Sequence, residues 1–119
     1  MGGDITSKEF RRLNSVIRRK RQERTEELIS KAFQKAQAIA SLLKNRYGAE
    51  RVFLYGSLAC GGFREGSDID ILVEGFQGSY WKMYTEAEDL ASPFNVSIAL
   101  YEDAAPSLRE AALKGGMLL

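Results

Sequence analysis

The hydrophobic period of this 119-residue chain changes once, near Gly48, and this change constrains the fold more than any other feature. Before it, apolar residues recur every three or four positions, as is typical of helices. After it, short apolar or alternating runs predict three strands, over residues 52–55, 68–73 and 95–101. Helical patterns follow the second and third strands. This order predicts an α/β (α+β) fold, in which helices pack on a small mixed sheet of about three or four strands.

The helical part of the chain is interrupted by a basic stretch. An apolar stripe ends near Ile17, residues 18–24 contain five Lys or Arg, and the stripe resumes at Leu28. Two interpretations fit this pattern: one long helix with a solvated middle, or two helices broken near Thr25. We favour a core helix over about residues 26–46, preceded by a second helix. The expected domains are therefore a basic helical extension (1–25) and an α/β domain (26–119).

The net charge of +1 conceals an uneven distribution. Residues 1–47 contain 12 Lys and Arg against 5 Asp and Glu, a net +7, whereas residues 48–119 contain 5 against 11, a net −6. Such asymmetry indicates that the two parts meet different partners. The basic stretch suits RNA phosphates or an acidic protein, although no aromatic residues are interleaved for base stacking. The apolar stripe beside it predicts contact with a second copy or with another protein.

The composition limits the chemistry that the chain can perform. One Cys and no His exclude an internal disulfide, a zinc finger, a Ser-His-Asp triad and a His general base. No apolar run approaches the roughly 20 residues of a membrane span, and the charged start lacks a signal-peptide core, so we expect a cytoplasmic protein without membrane contact. Any catalysis must use carboxylates, hydroxyls, backbone amides or a metal ion with oxygen ligands.

Two features between the first and second predicted strands suit phosphate chemistry. Asp68 and Asp70 are two positions apart on a strand, so their carboxylates share one face and can bind Mg²⁺. Gly56 and Ser57 follow a strand at the start of a predicted short helical turn, where N–H groups and a hydroxyl favour phosphate. Together these features indicate metal-assisted phosphoryl or nucleotidyl transfer.

The sequence Gly56-Ser57, followed after ten residues by Asp68 and Asp70, resembles the signature of the DNA polymerase beta-like nucleotidyltransferase superfamily in its minimal (MNT) form. The resemblance covers roughly residues 27–119. It implies a small α/β fold, a nucleoside triphosphate substrate such as ATP, and Mg²⁺ as cofactor. Carried over to these positions, Gly56 and Ser57 hold the nucleotide phosphates, and Asp68 and Asp70 are the catalytic carboxylates that bind Mg²⁺.

The resemblance also implies a partner. Many minimal nucleotidyltransferases pair with HEPN-domain proteins as antitoxins and transfer AMP to a tyrosine of that partner. The expected activity is therefore transfer of a nucleoside monophosphate, AMP foremost, from an NTP to a hydroxyl group of a HEPN-type helical protein.

Two positions depart from the family pattern. The third carboxylate that the family carries on the next strand is replaced by Ser97, and serine is a poor general base at neutral pH. Glu74 is a candidate substitute, whereas Asp103 lies six residues from position 97, about 20 Å along a strand. The arginine that usually follows Gly-Ser is missing, and Arg64 is its candidate replacement as a phosphate ligand.

Two alternatives to a nucleotidyltransferase enzyme follow from these observations. One is a catalytically degenerate nucleotide- or partner-binding module, and the other is an RNA-binding protein that uses the basic helix.

Overall fold

A computed structural model describes residues 6–119 of the chain as four helices and four strands. In chain order these are α1 (Ser7–Tyr47), β1 (Arg51–Tyr55), α2 (Ser57–Cys60), β2 (Asp68–Glu74), α3 (Tyr80–Ala91), β3 (Asn95–Leu100), α4 (Pro106–Gly115) and β4 (Met117–Leu118), with a 3-10 turn (Tyr101–Asp103) between β3 and α4.

The N-terminal helical region is one continuous helix, so the break favoured near Thr25 is wrong and the single-helix alternative is correct. The Thr25 hydroxyl donates a 2.9 Å hydrogen bond to the carbonyl of Arg21 inside this helix. A basic stretch interrupts an apolar stripe without interrupting a helix, because Arg, Lys, Gln and Glu are themselves good helix formers. The boundary between residues 25 and 26 therefore falls inside α1, and the division into two domains stays a prediction.

Both ends of α1 have the signals that the sequence contains for them. Thr6 and Glu9 form a capping box, in which each side chain bonds the other residue's backbone N–H. Gly48 ends the helix in the left-handed conformation, with φ 66°. These caps define a helix of 41 residues, about 60 Å long.

The four strands form one mixed sheet in the order β3–β2–β1–β4. Strand β1 is antiparallel to β2 and β4, whereas β2 and β3 are parallel and are connected through α3. This mixed sheet with helices packed on it confirms the predicted fold class. Strand β4 was not among the three predicted runs, since two residues are too few to show a period.

One face of the sheet is covered by α1 and α3. Ile69, Ile71 and Val73 of β2 are fully buried there, in a cluster that includes Leu43 of α1 and Met83 of α3. Because successive side chains of a strand point to opposite faces, the intervening residues of β2 lie on the other side of the sheet.

The other face of the sheet is only partly covered. Leu72 of β2 is buried there in a smaller cluster with Phe53 of β1 and Ala112 of α4. Towards the start of the same strand, Asp70 is half-buried and Asp68 is exposed. The tertiary structure thus leaves the two aspartates accessible on the sheet face opposite α1 and α3.

The first half of α1 makes few contacts with the rest of the protein. From residue 7 to residue 27 every side chain except Asn14 is exposed, and the described molecule is 69 Å long in its largest dimension. We call residues 7–27 the N-terminal arm. Within residues 6–119, every helix falls short of the length or the apolar character that crossing a lipid bilayer requires.

Candidate active site

Strand β2 positions the two candidate catalytic carboxylates. Asp68 and Asp70 occupy its first and third positions and therefore share the open face of the sheet. Their neighbours across the β1–β2 ladder include Tyr55, the last residue of β1, which is paired with Asp70. The carboxylates thus lie at the edge where β1 ends and β2 begins.

Gly56 brings the candidate phosphate-binding turn against one of these carboxylates. Its backbone has φ 76° and ψ −155°, a conformation that side chains disfavour. A Cβ atom at this position would lie 2.2 Å from Oδ2 of Asp70, far inside van der Waals contact. Only glycine therefore allows the chain to turn from β1 into α2, which begins at Ser57, with the Asp70 carboxylate in place.

The electrostatics of the site favour a bound cation. Burial raises the pKa of Asp70 above its usual range, and the negative charge of Asp68 raises it further. Burial also raises the pKa of Tyr55, with a smaller contribution from the charge of Asp70. In the absence of a cation, ionised Asp70 is therefore less favourable in the folded protein than in water, and a nearby positive charge relieves this cost.

Ser97 lies directly beside Asp70 in the neighbouring strand. The parallel ladder between β2 and β3 pairs Asp70 with Ser97, so both side chains point to the same face of the sheet. Position 97 is therefore where a third carboxylate would complete the pair, as the family pattern implies. This chain has a neutral hydroxyl there instead.

Glu74 does not substitute for the missing carboxylate. It lies at the far end of β2, four residues from Asp70, or about 13 Å along the strand. Its side chain forms an ion pair with Arg51 of β1, whose Nε donates a 3.0 Å hydrogen bond to Oε2. Glu74, the candidate substitute named from the sequence, is therefore paired with Arg51 and lies too far along the strand to join Asp70.

The residues present fit Mg²⁺ with an incomplete set of protein ligands. Within residues 6–119, no group of three or more His, Cys, Asp or Glu side chains is close enough to hold a metal ion. Mg²⁺ accepts such a site because it keeps several waters and binds substrate phosphates alongside one or two carboxylates. Asp68 and Asp70 are the residues that would hold it, with the remaining positions left to water, phosphate and backbone oxygens.

Arg64 lies in the loop between α2 and β2, three residues before Ser67. Its backbone N–H donates a 3.1 Å hydrogen bond to the Ser67 hydroxyl, and its side chain lines a cleft together with Arg21 and Arg24 of α1. No ion pair among the described residues joins Arg64 to either aspartate. Its assignment as a phosphate ligand stays a prediction.

Tyr55 is the site residue that sequence reasoning missed. Its half-buried ring lies on the same face as its ladder partner Asp70. If β1 and β2 had been known to pair antiparallel, the end of β1 would have been expected beside the start of β2, and Tyr55 beside Asp70. The hydrophobic patterns of the two strands do not show their relative orientation.

Comparisons with known proteins agree with this geometry. The family model described as "Polymerase beta, Nucleotidyltransferase" matches residues 37–119. A solved structure of a protein assigned as a minimal nucleotidyltransferase is 32% identical to this chain, with a TM-score of 0.63, and the match covers 76% of this chain and 95% of that one. No curated protein sequence matches the chain.

Two more distant structures share the fold. One is a toxin–antitoxin structure with AMP-PNP, at 22% identity and a TM-score of 0.58, and the other is a mutant of the MntA–HpeT toxin–antitoxin, at 19% identity and a TM-score of 0.57. Each match covers 71% of this chain and 70% of the other. With the family model covering most of the chain and the aspartate pair beside the glycine turn, the protein belongs to the polymerase beta nucleotidyltransferase family.

Proposed function

We propose that this protein is a Mg²⁺-dependent nucleotidyltransferase that moves a nucleoside monophosphate, AMP foremost, from an NTP to a hydroxyl group of a partner protein. The observation that supports this function is the contact between Gly56 and the carboxylate of Asp70. This contact places phosphates bound at the Gly56-Ser57 turn next to the carboxylates that would hold the metal ion. Metal-assisted nucleotidyl transfer requires the metal ion and the phosphates to be adjacent in this way.

Each residue of the site has a distinct role in this proposal. The backbone N–H groups and the hydroxyl at Gly56 and Ser57 bind the phosphates, and Asp68 and Asp70 hold Mg²⁺ and orient the substrate. When bound, Mg²⁺ neutralises phosphate charge and polarises the phosphorus that is attacked. The acceptor oxygen forms a bond to the α-phosphorus and its proton passes to solvent water. The bond between the α-phosphorus and the oxygen that bridges it to the β-phosphate breaks, and pyrophosphate leaves.

Absence of a carboxylate at position 97 slows this reaction without preventing it. Enzymatic transfer of phosphoryl groups relies mainly on positioning and charge stabilisation, and less on a strong general base. The two aspartates and the glycine turn supply positioning and charge stabilisation, whereas Ser97 supplies no base. We therefore propose an active but slow enzyme.

A protein acceptor and a cytoplasmic location belong to the same proposal. The solved structures that share the fold include toxin–antitoxin assemblies, one of them with AMP-PNP. By analogy, the partner is a helical protein of the HEPN type that presents the accepting hydroxyl. Homo-oligomer formation through α1 and RNA binding by its basic residues are the alternatives to this partner, and both would use the exposed arm.

The position of the label in ATP tests the reaction class. The protein is incubated with its co-expressed partner, Mg²⁺ and ATP labelled either at the α- or at the γ-phosphate. Nucleotidyl transfer puts the α-label, and not the γ-label, on the partner, and EDTA abolishes the signal. Incorporation of the γ-label would show phosphoryl transfer instead, and the absence of both with all four NTPs would contradict the proposed enzyme.

The second candidate function, a degenerate binding module, is favoured by the neutral side chain beside Asp70. The Ser97→Asp variant decides between the two. We expect wild type to transfer and the variant to transfer about tenfold faster or more, since a third carboxylate strengthens metal binding. The variant should also show a larger rise in melting temperature on adding Mg²⁺, a readout independent of turnover.

The matched control is Ser97→Asn, which has the size of aspartate without its charge. It should not exceed wild type in rate or in the Mg²⁺-dependent melting shift. Transfer by Ser97→Asp alone, with none by wild type under any condition, would establish the degenerate module. Equal rates for the Asp and Asn variants would show that the charge at this position is irrelevant.

A further inference from the structure

Six side chains of α1 form one stripe that runs along the N-terminal arm into the body of the protein. They lie three or four positions apart, so they share one side of the helix. The stripe begins with three apolar residues, continues with two arginines and ends with a leucine: Phe10, Leu13, Ile17, Arg21, Arg24 and Leu28. We call this set the arm stripe.

The apolar end of the arm stripe is open to solvent. Phe10 is 60% exposed, Leu13 51% and Ile17 40%. Large apolar side chains scattered singly on a surface need no explanation, but three in successive turns on one side of a helix form an interaction surface.

The arginine end of the arm stripe carries unneutralised positive charge. Arg21 and Arg24 line a cleft of about 350 Å³ together with Arg64 from the loop between α2 and β2. None of these arginines forms an ion pair within the described residues, and among the residues lining the cleft only Glu65 is acidic. Three arginines from two distant parts of the chain therefore line one cleft, and a cleft lined in this way attracts carboxylates or phosphates.

We propose that the arm stripe docks an acidic amphipathic helix of a partner protein. Apolar side chains of that helix cover Phe10, Leu13 and Ile17, and its carboxylates face the arginine cleft. The centres of the apolar and arginine groups lie about nine residues apart on α1, or about 14 Å along the axis. The partner helix therefore carries its acidic residues about nine positions from its apolar ones.

The same observations argue against the other two occupants. Two copies paired through their arms would bring together two surfaces that each carry eight Lys or Arg against four Glu over residues 7–27, and like charges at such a contact repel. RNA would neutralise the arginines but would leave Phe10, Leu13 and Ile17 uncovered, and the arm interleaves no aromatic residues with its basic run for stacking. An acidic helix covers both ends of the stripe.

The test measures binding by the full chain without nucleotide or Mg²⁺, so that it is independent of the proposed transfer. The probe is a fluorescent helical peptide with three leucines at helical spacing near one end and three glutamates centred nine positions away. A reference peptide replaces the glutamates with glutamine. We expect the affinity of the reference peptide to be lower by about tenfold or more, because it cannot pair with the arginine cleft.

Charge reversal on two sides of the same helix tests whether the stripe is specific. Arg21→Glu/Arg24→Glu should weaken binding of the acidic peptide about tenfold or more, as should Phe10→Ser/Leu13→Ser/Ile17→Ser. Arg12→Glu/Arg19→Glu makes the same charge change on roughly the opposite side of α1 and should alter affinity less than about threefold. Circular dichroism compares the helix content of each variant with that of wild type. If a charge-reversal variant has lost helix, the same two arginines are replaced by glutamine instead of glutamate.

Four results would overturn the proposal. The acidic peptide fails to bind wild type, or both charge-reversal pairs weaken it equally, which indicates nonspecific attraction. A 20-nucleotide RNA binds more tightly than the peptide and loses affinity in the Arg21→Glu/Arg24→Glu variant, which indicates a nucleic-acid surface. Sedimentation shows a wild-type dimer that the serine triple variant dissociates, which indicates a second copy. The nucleotide-transfer assay is run separately from these binding measurements. Failure of the docking proposal therefore leaves the proposed transfer untouched, and failure of the proposed transfer leaves the docking proposal untouched.

Discussion

The Asp68→Asn/Asp70→Asn variant is expected to lose nucleotidyl transfer by about a thousandfold or more. Both carboxylates lie on the open face at the start of β2, and within residues 6–119 no group of three or more His, Cys, Asp or Glu side chains could hold the ion in their place. Asparagine keeps the size of each side chain and removes the charge that holds Mg²⁺. The measurement is incorporation of α-labelled nucleotide into the partner protein at saturating Mg²⁺ and ATP.

The stability of this variant separates a lost metal site from a misfolded protein. The raised pKa of Asp70 means that the stability this carboxyl contributes is present at low pH and decreases as pH rises through its pKa. At neutral pH the ionised side chain therefore costs stability in the metal-free protein, and asparagine removes that cost. We expect the double variant to melt at or above the wild-type temperature without Mg²⁺, and to show none of the Mg²⁺-dependent rise of wild type.

Asp89→Asn is the matched control for this experiment. Asp89 is exposed on α3, which packs on the sheet face opposite the aspartates, so its replacement should leave both transfer and melting temperature unchanged. Wild-type rates in the double variant would contradict the assignment of the catalytic carboxylates, whatever its stability.

Gly56→Ala should both destabilise the protein and abolish transfer. The added Cβ would lie 2.2 Å from Oδ2 and 3.1 Å from Cγ of Asp70, and the φ of 76° is unfavourable for alanine. Relief of the clash requires movement of Asp70 or of the turn, and either movement separates the phosphate site from the metal site. We expect a loss of about 2 kcal/mol or more in the free energy of unfolding, measured by urea denaturation, and transfer below detection.

Gly62→Ala distinguishes the clash from backbone strain. Gly62 has φ 88°, similar to Gly56, but a Cβ there meets no atom within 4 Å. We expect this variant to lose only about 1 kcal/mol and to keep transfer, because its cost is the left-handed backbone alone. If the two alanine variants were equally stable and equally active, the contact between Gly56 and Asp70 would not matter for the site.

The failure of one fold prediction shows what a hydrophobic pattern measures. The lapse of the apolar stripe through residues 18–24 indicated a helix break, whereas α1 continues through it. An apolar stripe indicates which side of a helix is packed against other residues. Residues 18–24 lack the stripe because they are exposed, and they are nevertheless helical. The same reading explains why Arg21 and Arg24 remain available on the arm, beside apolar residues that nothing in the described structure covers.

The sequence by itself determined the elements and the chemistry that they can carry. Alternation in β2 is a local property of the backbone, so it alone placed Asp68 and Asp70 on one face, and the Gly-Ser turn and the absence of histidine limited the reaction class.

The tertiary structure alone decided which distant residues became neighbours. It set the β2–β3 register that puts Ser97 beside Asp70, the approach of Gly56 to that carboxylate, and the cleft that joins Arg64 to two arginines of α1. The physical reason is that strand register and helix placement depend on burying the apolar faces of several elements together, and a side-chain period within one element carries no information about that fit.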